Sequence, residues 1–364
     1  MAPLACLCNS NRAWGGGEAF VHQHARLLAE RGWEVHVATG LRSALADRLE
    51  AEGDTPVHRL PVGGLTLGNP LAMLRLRRFF RTLAPDAVLC SLPRDLKAFG
   101  TAAMLAGTPR VVYRRGIGVP VRATALNRFL LNRVADAVVC NSEDTRACLL
   151  AQDETLVPTE RIHVIPNGFD TAAFDALPAE ASFPAPDDTP TVGTAGRLTE
   201  QKAQHHLIEA AALLKERGRA LRVLIAGTGE LETELKALVR ERSVEDMVSF
   251  TGFVDDLKGF YASLDVFALP SHWEGFGYVL AEAMAMELSV VAFAAGSIPE
   301  VVADGVTGLL AAPFDTDEFT DKLEQLLDDA ALRRSLGRAG RQRLLERFDA
   351  ARTMDAFEAV LRGD

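Results

Sequence analysis

Short β-rich runs alternate with amphipathic stretches along nearly the whole chain, and few folds accept that rhythm. In the first half Leu4–Cys8 is followed by the amphipathic Glu18–Arg31, and Glu34–Thr39 by Ser43–Glu52. Further apolar runs lie at Ala87–Ser91, Arg110–Tyr113, Ala137–Cys140 and Ile162–Ile165. Strands joined through helical crossovers run parallel, with helices covering the sheet. The rhythm lapses over 169–190, where Pro178, Pro184, Pro186 and Pro190 stand among acids and alanines, as in a linker. It resumes at Thr191–Ala195, Leu221–Ala226, Val248–Thr251, Val266–Leu269 and Val290–Phe293, and from Asp315 the pattern is helical. The expectation is an α/β chain of two parallel-sheet domains, 1–168 and 191–347, facing a central cleft. Sheets of this kind bind ligands at the carboxyl ends of their strands.

Composition narrows the class further. With 364 residues, 48% hydrophobic and 24% charged, the chain is neither disordered, collagen-like nor a disulfide scaffold. No apolar run approaches the roughly 20 residues of a bilayer-spanning helix. The first eight residues have no basic flank and read as a strand, so a cytoplasmic location is expected. Cys6, Cys8, Cys90, Cys140 and Cys148 are expected as free thiols. The first two would share a strand face with no nearby His or Cys pair, which favours core packing over metal binding. Residues 1–168 carry 20 Lys and Arg against 15 Asp and Glu, whereas the remainder carries 19 against 34. A basic half beside an acidic half suggests different partners for the two.

Three constellations could carry chemistry. Gly15-Gly16-Gly17-Glu18 follows the first strand and opens a helix, where free N–H groups and small residues favour a phosphate. The second strand ends Ala38-Thr39-Gly40, without the acid of a dinucleotide fingerprint, so NAD is disfavoured. Arg197 closes the first strand of the second half, and Lys202 stands at the predicted start of the next helix; a fork and a point charge suit a diphosphate. In Pro270-Ser271-His272-Trp273-Glu274-Gly275-Phe276-Gly277 a strand runs into a glycine-rich loop with one carboxylate, and a helix from Tyr278 carries a second, Glu282, tilted back toward the same pocket.

In order and spacing these motifs resemble the retaining nucleotide-sugar glycosyltransferases of the GT-B fold, family 4, also called glycosyl transferases group 1. The resemblance extends to V-I-P-N-G-F-D at 164–170, G-F-V at 252–254, G-S-I-P-E-V-V at 296–302 and D-G-V-T-G-L-L at 304–310. It implies two Rossmann-like domains and a final helix, 348–364, crossing back to the first. It also implies transfer of a sugar from a nucleoside diphosphate to a glycan or lipid-linked acceptor, as in surface polysaccharide or lipopolysaccharide assembly. By position, Arg197 and Lys202 would neutralise the diphosphate, Glu282 would accept from the ribose hydroxyls, and Glu274 would hold the sugar with the peptide groups of Phe276 and Gly277. Tyr278 and Val279 follow in the donor set. Gly16 and Gly17 would approach the diphosphate from the other domain, and Phe253 and Val254 would border the base. No cofactor and no metal are expected, and UDP, GDP and ADP all stay open as donor nucleotides. A sugar-nucleotide epimerase on the same fold, or a non-catalytic nucleotide-sugar-binding protein, is the alternative.

Two departures bear on chemistry and stability. Where many family members carry His, this chain reads Arg114-Arg115-Gly116. A guanidinium is no base, so the remaining roles for Arg114 and Arg115 are contact with the leaving group or with an anionic acceptor. Glu287 replaces the usual Gly after the Glu282 helix, at a cost of about 1 kcal/mol if that cap is left-handed.

Weaker signals carry plainer readings. Asp315-Thr316-Asp317 imitates a metal-binding D-x-D but fits a helix cap with Glu318. His205 and His206 are adjacent, as are His22 and His24 nearly so, and neither pair has helical ligand spacing. In Leu71–Leu83 one arc is apolar while Arg75, Arg77, Arg78 and Arg81 occupy the other, either as a solvated face or as a contact for an anionic membrane surface. Nucleic acid is not an expected partner.

Overall fold

A computed structural model describes residues 2–64 and 66–364. It divides into two compact units, Met1–Gly168 with Ala350–Asp364, and Phe169–Asp349. Each is built on one parallel sheet.

In the first unit the strands are β1 (Leu4–Asn9), β2 (Glu34–Gly40), β3 (Val57–Leu60), β4 (Ala87–Cys90), β5 (Arg110–Arg115), β6 (Ala137–Cys140) and β7 (Ile162–Val164), in the order β3-β2-β1-β4-β5-β6-β7. The central strands are apolar on both faces because helices cover both sides. Cys8 lies opposite Cys90 in the β1–β4 register, which brings one further thiol beside Cys6 and Cys8. All three thiols are fully buried and free, and burial raises the Cys8 thiol well above its ordinary value. A protonated thiol in an apolar core is packing.

The last helix, Ala350–Arg362, packs in this unit. Phe357 meets Phe20 and His24 edge-on at 5.7 and 4.8 Å, and the Trp33 indole donates to Glu358 at 2.9 Å. Burial and the nearby Arg114 charge push the His24 pKa down to about 3, so this ring is a neutral core group.

The second unit holds β8 (Thr191–Ala195), β9 (Arg222–Ala226), β10 (Val248–Gly252), β11 (Val266–Leu269), β12 (Ser289–Phe293) and β13 (Leu309–Ala311), in the order β10-β9-β8-β11-β12-β13. Residues 169–190 pack within this unit. Phe169 bridges to Asp349, the Ser182 N–H donates to the Gly259 carbonyl at 3.0 Å, and the Lys258 ammonium gathers the carbonyls of Phe174, Asp175 and Leu177 at 2.6–2.9 Å. The helices Thr316–Asp328 and Ala330–Arg347 follow β13. Asp315 caps the first of them, accepting from the Glu318 N–H at 2.9 Å, while Glu318 accepts from the Ala312 N–H at 2.7 Å. Glu287 does adopt a left-handed conformation, φ 56°.

Candidate active site

Both sheets reverse direction beside their first strand, between β1 and β4 and between β8 and β11. In open α/β sheets that reversal leaves a crevice at the carboxyl ends. In the second unit, two loops meet there. The turn after β8 carries Arg197 and Lys202; the segment after β11 carries Glu274 and leads into the helix Tyr278–Ala285. The His272 N–H donates to the Gln201 carbonyl at 2.8 Å, and the Gln201 amide donates to the Trp273 carbonyl at 3.0 Å. These bonds hold the loops in register.

Lys202 then donates to Glu274 Oε1 at 2.5 Å, with 14% and 7% of the two side chains exposed. Contrary to the sequence reading, Lys202 is not helical: the helix begins at His205, and Lys202 lies on a turn closed by the Gln204 amide donating to the Arg197 carbonyl at 3.0 Å. Gly227 lets this turn form. Its φ is 131°, and a Cβ there would stand 1.9 Å from the Gly196 carbonyl oxygen. Arg197 itself is exposed.

Glu282 projects from the helix Tyr278–Ala285 and accepts from the buried Tyr261 hydroxyl at 2.6 Å. Burial pushes its carboxyl up to about 7, against the opposing pull of the Tyr261 bond and the Lys202 charge. Lys202 thus acts on both carboxylates, and the three residues form one cluster. Gly277 caps this helix at φ 76°, a left-handed value that turns the loop into the helix. Phe276 is buried against Phe348 and Tyr278, with ring centres 5.5 and 5.4 Å apart, which fixes the neighbouring peptide groups. Tyr278 and Val279 are partly buried; Phe253, just past β10, is 66% exposed, with Val254 beside it.

In the first unit the helix Gly16–Glu30 starts after Gly15. A Cβ at Gly17 would meet nothing within 4 Å, so neither crowding nor strain within the chain requires that glycine. The two arginines in the usual His position differ from the sequence reading. Strand β5 runs on through both, and both are buried. Arg114 stacks on Phe20, 3.9 Å from the ring centre, and donates to Asn167 at 3.1 Å; Arg115 donates to the Val119 carbonyl.

Sequence reasoning missed a polar network at the β1–β4 reversal. Asp95 is fully buried and accepts from the Ser10 N–H at 3.1 Å and from its hydroxyl. Arg94 donates to the Ser10 hydroxyl and to Asn11, at 2.8 and 3.1 Å, and Asn9 donates to Glu18 at 3.0 Å. Burial pushes the Asp95 carboxyl up to about 7. Only the position of P-R-D at a strand end, beside the first strand, could have pointed to it.

The sequence also missed a third histidine. His205 and His206 are joined by His272, and ring nitrogens of the three lie within 4.8 Å of one another.

Comparisons with known proteins agree with this fold. The family described as Glycosyltransferase Family 4 matches residues 14–173, and the family described as Glycosyl transferases group 1 matches residues 178–343. A lipopolysaccharide core biosynthesis glycosyltransferase of Rhizobium meliloti, LpsE, is 27% identical over 347 residues, covering 95% of this chain and 96% of its own. A putative glycosyltransferase of Bacillus subtilis, EpsD, is 29% identical over 361 residues, covering 94% and 92%. Among solved structures, Anabaena HepE in complex with UDP and glucose superposes with a TM-score of 0.85 over 100% of both chains, at 22% identity. Two Rossmann-like sheets, the paired loops of the second unit and family matches spanning both halves lead to one conclusion: the chain belongs to the GT-B glycosyltransferases of family 4.

Proposed function

We propose that the protein transfers a sugar, with retention of configuration, from a nucleoside diphosphate to a glycan or lipid-linked acceptor in lipopolysaccharide or surface polysaccharide assembly. The observation that carries the reading is the Lys202–Glu274–Glu282–Tyr261 cluster at the β8–β11 reversal. The acceptor class is supported by the name of the Rhizobium relative.

On this reading the bond from the anomeric carbon to the phosphate oxygen breaks, and the acceptor oxygen bonds to the same face of that carbon. The acceptor proton passes to the departing phosphate oxygen. Lys202 and Arg197 stabilise the charge that develops there, worth several kcal/mol per well-placed donor. When Lys202 turns to phosphate, Glu274 becomes free to accept from sugar hydroxyls, with the peptide groups at Phe276 and Gly277 fixing the ring. Glu282, ionised, accepts from the ribose. Phe253 and Val254 border the base. Arg114 and Arg115, buried and committed to protein partners, are given no direct contact with the acceptor.

The lipid-linked option is supported by the helix Pro70–Leu83. It buries only Leu76 and Phe80, while Arg75, Arg77, Arg78 and Arg81 are exposed together with Leu71 and Leu74, at 70% and 58%. Leucines standing among exposed arginines fit an anionic membrane surface. No helix among the described residues is long and apolar enough to cross a membrane.

Thermal melts with UDP, GDP and ADP test the donor site. A nucleotide at about 100 times its Kd stabilises by roughly 2.7 kcal/mol. One of the three is expected to raise Tm in the wild type and to lose that effect in Glu282→Ala. If none does, the donor assignment fails. Acceptor-dependent nucleotide release then separates transfer from epimerisation, which needs no acceptor.

A further inference from the structure

A cluster of imidazoles lies outside the donor reading. His205 and His206 open the helix His205–Glu216, and His272 lies on the loop after β11, two residues before Glu274. The rings of His205 and His206 stand 4.1 Å apart, and those of His206 and His272 5.6 Å. His206 Nε2 faces His272 Nε2 at 3.3 Å, and ligand atoms of all three lie within 4.8 Å; two nitrogens bound to one ion stand at most about 4.1 Å apart, so the third ring must swing inward on binding.

We propose that His205, His206 and His272 form a binding site for a first-row transition-metal ion, with Zn²⁺ as the probe. The distance is the main argument. Two imidazole nitrogens about 2.05 Å from one ion, at a tetrahedral angle, stand about 3.3 Å from each other, which is the spacing of the two Nε2 atoms. The orientation agrees. His206 Nδ1 is 2.6 Å from the Thr316 hydroxyl, so an Nδ1–H donated to that oxygen leaves the Nε2 lone pair directed at His272. Metal-bound histidines are commonly held through their second nitrogen in this way.

Phe293, fully buried, stands edge-on to His206 at 4.9 Å and walls the cluster on the protein side, while the exposed Phe314 stands edge-on to His272 at 4.7 Å. His205 and His272 are only partly buried, which leaves an entry path. Imidazole sites of this kind suit Zn²⁺, Cu²⁺, Ni²⁺ and Co²⁺. An ion here would tie the loop bearing Glu274 to the helix that follows Lys202. It would take no part in holding the diphosphate.

The test uses the full chain without a polyhistidine tag. Titration calorimetry with Zn²⁺, and visible absorption with Co²⁺, are expected to show one equivalent bound per chain. His206→Gln and His272→Gln should each weaken binding by at least about tenfold, and the triple Gln variant should abolish it. A second histidine pair, His36 and His58, lies 2.8 Å apart in the other unit, so His36→Gln/His58→Gln is the control and should bind as the wild type does. No saturable binding, binding unchanged in the triple variant, or binding lost in the control overturns the proposal. A readout on the wild type alone covers failure of the triple variant to fold. Zn²⁺ should protect His205, His206 and His272 from carbethoxylation, read by mass spectrometry, and protection confined to other histidines overturns the proposal equally.

Discussion

Arg197 and Lys202 are assigned the same electrostatic task, yet their settings make their removal distinguishable. Arg197 is exposed, so Arg197→Ala is expected to change stability by no more than about 0.5 kcal/mol. Lys202→Ala strands the Glu274 carboxylate, whose side chain is only 7% exposed. Removing one partner of a buried pair costs about 3 to 5 kcal/mol, most of it the penalty of an uncompensated charge. At about 2 to 4 °C per kcal/mol for a unit of this size, Tm should fall by about 6 to 20 °C. Glu274→Gln combined with Lys202→Met should recover much of the loss, because neither charge is then left alone. Turnover separates from stability: at saturating donor, both single alanine variants should lose roughly 10²- to 10³-fold, and the charge-free double variant should stay slow although it melts higher. Melts in the absence of ligand and initial rates well below each Tm supply both readings. If Lys202→Ala melts with the wild type, or if the double variant melts no higher than Lys202→Ala, the buried-pair argument is wrong. Near-normal turnover in both Arg197→Ala and Lys202→Ala would remove them from the leaving-group role.

Three further outcomes are expected. A chelator should leave turnover within about twofold, since on the proposed reading cationic side chains and helix N–H groups serve the leaving group; loss restored by Mg²⁺ or Mn²⁺ would contradict this. Replacing Arg75, Arg77, Arg78 and Arg81 with Gln should abolish cosedimentation with anionic vesicles, each arginine contributing about 1 kcal/mol at low salt, while binding of soluble nucleotide is retained; a wild type that ignores such vesicles would leave only a solvated face. The Glu282 carboxyl, raised to about 7 from 4.5, favours the folded state fully below pH 4.5 and loses that contribution as pH rises through 7; relative to Glu282→Gln, wild-type urea stability should therefore fall across that window while its nucleotide affinity rises, and parallel profiles would refute the assignment.

Most strands that alternation revealed are buried on both faces, though the partly buried edge strands β7 and β10 were found as well. Strand β3, Val57–Leu60, escaped because His58 and Arg59 interrupt its apolar pattern over only four half-buried residues. Strand β13 is three residues long, hidden in Leu309-Leu310-Ala311. Strand β5 ran past its expected end because both charged residues are buried with partners: Arg115 on the nearby Val119 carbonyl, Arg114 on groups far away in sequence. Phe20 offers Arg114 a ring face and Asn167 a carbonyl oxygen, and no local window contains either. The proline-rich 169–190 read as a linker for a similar reason: its carbonyls are satisfied by Lys258, more than 80 positions away from them.

The site was legible where chemistry is carried by residue type at a strand end, and illegible where it depends on pairing. Spacing alone brought Glu274 and Glu282 to one helix start, but it gave no sign that Lys202 would sit on Glu274, 72 residues away, or that Tyr261 would donate to Glu282. Those pairings alter what the residues can do. On the proposed reading, a lysine bonded to a carboxylate must exchange that partner for phosphate, so the net gain is smaller than that of a free ammonium, and the carboxylate freed in the exchange would become an acceptor for sugar hydroxyls. A glutamate raised toward neutrality would accept from two ribose hydroxyls only after losing its proton. The same rule explains the histidines. Two adjacent positions on one helix diverge by about 100° and make no site by themselves, but the two rings stand 4.1 Å apart and a third arrives beside them from the loop after β11.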